Sequence, residues 1–178
     1  MLSFFQLGMN HILSGYDHLL FLFSLLIARQ TFKQYAAVIT SFTIAHCLTL
    51  TLTVLNIINI SPSIVEPAIA LSICYVAIEN IVRKEVRSRW IITFVFGLIH
   101  GMGFADLLKG MDLPAKNLAI DIFSFNLGIE FIQLAIVCVM LPLLYFVRRW
   151  KYSTRAVNVC SAVAFLLGGI WLTERLFF

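Results

Sequence analysis

Long apolar stretches with short polar connections dominate the pattern of hydrophobic and polar positions along this chain. Each stretch approaches the roughly 20 residues that an α-helix needs to cross the hydrocarbon core of a bilayer. No low-complexity segment or linker separates them. The pattern therefore predicts one all-α integral membrane domain over residues 1–178, a bundle of about six transmembrane helices at residues 4–28, 34–57, 63–82, 90–109, 118–147 and 156–174.

Composition agrees with a multi-pass protein in the lipid bilayer. The chain is 61% hydrophobic and 12% charged, whereas a soluble domain has roughly 25% charged residues. A net charge of +4 does not indicate a nucleic-acid partner here, because the basic residues lie between apolar runs. The four cysteines occur singly, which predicts no disulfide framework. The sequence is also compatible with assembly into a homo-oligomer.

The distribution of lysine and arginine predicts the orientation of the bundle. Ten of these residues fall in or beside the first, third and fifth connections, and only Lys109, Lys116 and Arg175 fall on the opposite side. Basic residues accumulate on the cytoplasmic side of membrane proteins. Both termini are therefore expected outside.

All four histidines of the chain lie inside predicted spans, where an unpartnered ionisable side chain is costly. His11 and His18 are seven residues apart and would share one face of a continuous helix, with Asp17 beside them. At about 1.5 Å per residue, His18, His46 and His100 can lie in one midplane layer, with His11 about 10 Å further out. A polar cluster at this depth is expected to have a function.

The ligand types narrow the metal that such a cluster would bind. Imidazole and carboxylate without paired thiolates suit Zn, Ni, Co, Cu(II) or Fe rather than Mg or Ca. Cys47 and Met102 adjoin two of the histidines and leave Cu(I) open, and nothing chooses among Ni, Co and Zn. The candidate metal ligands are His11, Asp17, His18, His46, His100 and Glu130.

A short internal repeat links the first and fourth spans. Gly8-x-x-His11 followed by Gly15-Tyr-Asp-His-Leu-Leu is similar to Gly97-x-x-His100 followed by Gly103-Phe-Ala-Asp-Leu-Leu. A repeat of three spans inverts its topology, which is typical of secondary transporters with midplane sites.

These motifs resemble those of a known family. His11-x5-Asp17-His18 resembles the first-helix signature of nickel/cobalt permeases, and the wider pattern resembles the second branch of the HupE/UreJ family. That pattern comprises Gly15-Tyr-Asp-His-Leu-Leu-Phe-Leu, Phe42-Thr-x-Ala-His46, Glu79-Asn80, Phe96-Gly97-x-x-His100-Gly101-x-Gly103-Phe-Ala and Phe125-Asn126-x-Gly-x-Glu130.

The resemblance implies a small protein of about six helices in the bacterial inner membrane and, as in the better-known branch of the family, uptake of nickel or cobalt. It also implies that His11, Asp17 and His18 are metal ligands. The chain departs from the better-known branch at its second signature, a denser histidine–glycine run ending in glutamate. Only His100-Gly101 remains of it, with Glu130 on the next helix.

Two functions are expected to compete. In a divalent-metal permease, His11 would receive the ion, the midplane cluster would bind it, and Glu79 would line the inward exit. In an intramembrane zinc-type hydrolase acting on a lipid or membrane-embedded substrate, three protein ligands would leave a position for water. The candidate general bases are then Asp17, Glu130 and Asp106.

An apolar barrier between the cluster and the inner face would favour the hydrolase. A third interpretation makes the cluster internal packing in a subunit of a membrane complex.

Overall fold

The structure is a computed structural model that describes residues 2–28, 30–83, 88–104, 118–148 and 153–177. All regular structure in these ranges is helical, which confirms the all-α prediction. The seven helices are α1 Leu2–Ser14, α2 Tyr16–Ile27, α3 Phe32–Val54, α4 Pro62–Val82, α5 Arg89–Gly103, α6 Leu118–Arg148 and α7 Ser153–Phe177.

Four of these helices are long and apolar enough to cross a membrane. They are α3, α4, and the parts of α6 and α7 at Ile120–Phe146 and Thr154–Phe177. The helices α2 and α5 are apolar but shorter. A multi-pass membrane protein is therefore supported, while the number of six spans and the side of the termini stay predictions.

Local sequence explains where two of the long helices begin. Thr31 caps α3 through a reciprocal capping box: its backbone N–H donates to Gln34 Oε1 at 2.7 Å, and its hydroxyl oxygen accepts from the Gln34 N–H at 3.4 Å. Pro62 opens α4, where its missing N–H leaves no helical hydrogen bond unmade.

The first predicted span is not one continuous helix, so that prediction is wrong in detail. The chain kinks at Gly15, whose φ of −80° and ψ of 86° are not helical. The Gly15 N–H still donates to His11 O at 2.9 Å, so α1 and α2 stay joined end to end. A Cβ at Gly15 would lie 2.8 Å from His11 O and 3.0 Å from His18 Nδ1, and glycine avoids that crowding.

Close helix pairs build the bundle. The most extensive pairings are α3 with α5, α4 with α7, and α1 with α6. Glycines allow two of these approaches: a Cβ at Gly97 would lie 2.7 Å from Phe42 O, and one at Gly8 would collide with the Phe125 carbonyl. Small residues at helix interfaces serve the same purpose in membrane bundles generally, because they let backbones approach closely.

These pairings agree with the predicted inverted three-span repeat, which stays a prediction. In such a repeat the first predicted span corresponds to the fourth, and the second to the fifth. The pair of α1 with α6 then corresponds to the pair of α5 with α3. The third predicted span corresponds to the sixth, so the pair of α4 with α7 is its own counterpart. The contact of Gly8 with Phe125 then corresponds to that of Gly97 with Phe42.

Replacing Gly97 with alanine is expected to push α3 and α5 apart. The new methyl would meet the Phe42 carbonyl oxygen at 2.7 Å and the Ala45 Cβ at 2.9 Å. Overpacking of this kind costs about 1–3 kcal/mol, measurable as a lower free energy of unfolding in detergent. Gly169→Ala is the matched control, because nothing lies within 4 Å of its Cβ position. Equal losses in the two variants would contradict the close approach.

Candidate metal centre

Three histidines from three helices meet in one place. His11 near the end of α1, His18 at the start of α2 and His46 in α3 each offer one ring nitrogen, and these atoms lie within 4.8 Å of one another. The ring centroids of His11 and His18 are 4.6 Å apart, and each is about 6 Å from His46. His46 is completely buried. We call these three residues the histidine cluster.

The predicted position of His11 is wrong. A continuous helix would place it about 10 Å beyond His18, yet the two rings are in edge-to-face contact. The kink at Gly15 changes the direction of the chain between the two histidines. His11 therefore belongs to the cluster rather than to an outer entrance.

His100 borders the cluster from α5. Its ring centroid lies 5.0 Å from that of His18, and the residue is completely buried. His100 Nδ1 lies 2.8 Å from the Phe96 carbonyl oxygen. Because a carbonyl only accepts, Nδ1 carries the proton and Nε2 carries the lone pair.

Asp17 holds the ring of His18. Its Oδ1 accepts the His18 backbone N–H at 2.9 Å and lies 3.1 Å from His18 Nδ1, while Oδ2 accepts from Arg175 at 3.2 Å. Carboxylates fix coordinating histidines in this manner, with the second ring nitrogen directed at the metal. A direct ligand role for Asp17 stays a prediction.

Five buried ring nitrogens of these histidines have no hydrogen-bond partner among the described residues. They are His11 Nε2, His18 Nε2, both nitrogens of His46, and His100 Nε2. An unsatisfied buried polar atom costs about 1–3 kcal/mol. A coordinated cation is the chemical partner that several lone pairs directed into one space would share.

Aromatic rings wall the site. Phe104 lies 3.9 Å from His11 between centroids, and Phe21 and Phe42 lie 4.7 Å and 5.3 Å from His100. Phe125 stacks on Phe104 at 5.0 Å. These apolar walls favour neutral imidazole, the form that coordinates metals.

The other predicted site residues lie elsewhere. Glu130 is half-buried on α6 and is not among the three residues whose ligand atoms converge. Its role as a ligand or base stays a prediction. Asp106 lies outside the described residues.

Glu79 lies at the opposite end of the bundle in a buried ion pair. Its Oε2 accepts from Arg89 Nε at 3.1 Å, and Arg89 also donates to the Leu25 carbonyl at 3.2 Å and to Asn80. Glu79 is 4% exposed and Arg89 1%. We call this group the Glu79 end, and the group of Asp17, Glu66 and Arg175 the Arg175 end.

From the sequence, Arg175 was only one of the basic residues that indicate the orientation of the bundle in the membrane. It reaches Asp17 across 158 residues of sequence and also lies 3.8 Å from Glu66. Neither helical spacing nor any motif in the sequence predicts a contact between two residues so far apart in the chain.

Asp17→Asn replaces the anionic acceptor of His18 with a neutral one and is expected to weaken binding of Ni2+ or Co2+ by about 10–100-fold, the usual effect of mutating an outer-shell partner of a ligand. The measurement is a competition titration on detergent-purified protein. Glu66→Gln is the matched control, since Glu66 shares the Arg175 partner but has no hydrogen bond to a histidine in the described structure. Equal weakening by both changes would mean that the ion pairs with Arg175, and not the contact of Asp17 with His18, determine the affinity for the metal.

A comparison with protein-family models matches residues 1–175 to the family described as HupE / UreJ protein. No curated protein and no solved structure matches the chain. The match covers nearly all of the 178 residues and agrees with the motifs around the histidine cluster. The chain belongs to the HupE/UreJ family.

Proposed function

We propose that this protein is a permease for divalent transition-metal ions of the nickel and cobalt type, and that the histidine cluster binds the ion in transit. The family is associated with nickel and cobalt transport. The observation that carries the proposal is the convergence of unpartnered imidazole nitrogens inside an apolar helical bundle.

The donor set suits a mobile ion. Neutral imidazoles bind Ni, Co and Zn well, whereas Mg and Ca require oxygen ligands. Transport also requires binding that is weak enough for release. His11, His18 and His46 carry no formal negative charge when neutral, which supports reversible binding over permanent retention.

An ion enters from the Arg175 end in this proposal. The cluster adjoins that end, because His18 follows Asp17 directly and Asp17 is 17% exposed. Arg175 is 25% exposed, so this ionic group lies partly at the surface of the bundle. The pairing of Asp17 with Arg175 would have to adjust when a cation arrives beside His18.

The route towards the Glu79 end is closed by an apolar layer and then by the buried ion pair. The layer consists of Phe21, Leu25, Val38, Phe42, Ile73 and Val76. Beyond it, Arg89 ties α5 to Glu79 of α4 and to the Leu25 carbonyl of α2. In the proposed cycle these three helices separate at the Glu79 end, and Glu79 then lines the exit.

The same apolar layer favours the second candidate, a zinc-type intramembrane hydrolase, because it separates the cluster from the Glu79 end. Three histidines would hold the metal and leave a position for water. The general base is the weaker part of this candidate. Asp17 is engaged by His18 and Arg175, and Glu130 is not among the residues whose ligand atoms converge.

Metal analysis and vesicle uptake test both candidates. Purified protein is expected to bind Ni2+ or Co2+ stoichiometrically and to carry it into reconstituted vesicles, and His46→Ala is expected to abolish both properties. Thr53→Val is the matched control, since Thr53 is buried on the same helix and donates only to Thr49 O. Bound metal without uptake would overturn the permease and favour the hydrolase, and absence of metal would overturn both.

Glu79→Gln tests the closure at the Glu79 end. Leaving Arg89 buried without its counter-charge destabilises the closed arrangement by about 3–5 kcal/mol. A thiol introduced by Val76→Cys, with the native cysteines replaced, is then expected to react faster with an impermeant reagent added at the Glu79 end.

Arg83→Gln is the control for that experiment. Arg83 also pairs with Glu79, at 3.3 Å, but its side chain is 58% exposed, and exposed pairs contribute about 0–1 kcal/mol. Labelling that is equally slow in the Glu79 and Arg83 variants would contradict a gate at this position.

A further inference from the structure

Asn126 of α6 has an unusual buried amide. The residue is 6% exposed, and its Nδ2 donates to the Ile122 carbonyl of its own helix at 2.9 Å. Its Oδ1 is buried and has no hydrogen-bond partner among the described residues. A buried amide oxygen is normally an engaged acceptor, so this atom lacks a donor.

His46 lacks the complementary partner. His18 Nδ1 lies 3.1 Å from Asp17 Oδ1, and His100 Nδ1 donates to the Phe96 carbonyl at 2.8 Å. His46 is different, because neither of its ring nitrogens has a hydrogen-bond partner within the described chain. A neutral imidazole has one N–H to donate and one lone pair, so a metal satisfies only half of its requirement.

Asn126 is positioned to supply the missing acceptor. The neighbouring Phe125 ring lies 5.7 Å from that of His11, and Phe125 packs in one apolar cluster with Leu50, which is one helical turn after His46. The helices α3 and α6 also meet on this face through Thr43 and Gln133, whose side-chain oxygens are 3.0 Å apart. The unpartnered amide oxygen and the unpartnered imidazole thus both lie at the buried interface between α3 and α6.

We propose that Asn126 is a positioning residue of the metal site: its amide oxygen accepts the ring N–H of His46 and so directs the other ring nitrogen at the ion. Coordinating histidines nearly always donate their second N–H to such an acceptor. Each buried histidine that borders the site then has its own acceptor, a carboxylate for His18, a backbone carbonyl for His100 and an amide for His46.

An amide acceptor has a consequence that a carboxylate would not have. Asp17 adds negative charge beside His18, whereas Asn126 orients His46 without adding charge to the side of the site facing α6. A neutral acceptor increases the basicity of a coordinating imidazole less than an anionic one. The inference rests on metal binding at the histidine cluster, and it holds whether the ion is transported or retained.

Replacing Asn126 with leucine, which has a similar shape and no acceptor, tests the proposal on the full-length protein in detergent. The affinity for Co2+ is expected to fall about 10–100-fold, and the visible absorption spectrum of the bound Co2+ is expected to shift. Asn126→Asp keeps an acceptor oxygen at the same position and is expected to retain the affinity. Asn126→Ala removes the oxygen in a strong helix former and serves as a second variant if the leucine variant does not fold.

Gln133→Leu is the matched control. It removes another buried amide from the same helix and breaks the bond to Thr43, which has no hydrogen bond to an imidazole in the described structure. This variant is expected to lose stability but to bind Co2+ with the affinity and spectrum of the parent protein.

Parent-like affinity and spectrum in the Asn126→Leu and Asn126→Ala variants would overturn the proposal. An equal loss of affinity in the Gln133 variant would overturn it as well, because general packing would then explain the effect. If the parent protein binds Co2+ but does not transport it, the permease fails and the role of Asn126 stands. If the parent protein binds no metal, both fail.

Discussion

Unsatisfied imidazole nitrogens in an apolar interior are the constraint on which this structure depends. Five such atoms lie together within the described part of the bundle, at about 1–3 kcal/mol each. That cost is comparable with the entire net stability of a typical domain, about 5–15 kcal/mol. Packing alone gives no reason to gather them. A ligand that satisfies several lone pairs at once offsets the cost, and transition-metal ions are such ligands.

The same glycines that allow the helices to pack also determine how close the imidazoles come. A Cβ at Gly101 would collide with the backbone of His46, so α5 carries His100 against α3 only because this residue is glycine. Gly8 allows the equivalent approach of α1 to α6 one turn before His11. The distance between these helices therefore also sets the distance between the imidazoles, and the chain has such a close approach at both Gly101 and Gly8.

The two ends of the bundle differ in a way that matters for an ion. At the Arg175 end the ionic group is partly exposed and directly holds His18. At the Glu79 end the ion pair is almost completely buried and is separated from the cluster by an apolar layer. In the proposed permease, an ion would therefore reach the site from the Arg175 end.

Sequence predicted the grouping of His18, His46 and His100 but not the direction of the chain between His11 and His18. The fixed rise per residue of a helix placed His18, His46 and His100 at a common level, because depth follows from position within a span. It failed for His11, because the kink depends on the backbone angles of Gly15, which its surroundings select. Rotation about a helix axis was also unpredictable, since neighbouring helices set it.

Two residues of α6 illustrate the limit. The spacing of Asn126 and Glu130 indicated one polar face, and the carboxylate was the obvious ligand. Packing instead buries Asn126 with an unpartnered amide oxygen, whereas Glu130 is half-buried and is not among the residues whose ligand atoms converge. Periodicity selects candidates for a buried site, and only the rotation of the packed helix decides which of them meets an imidazole.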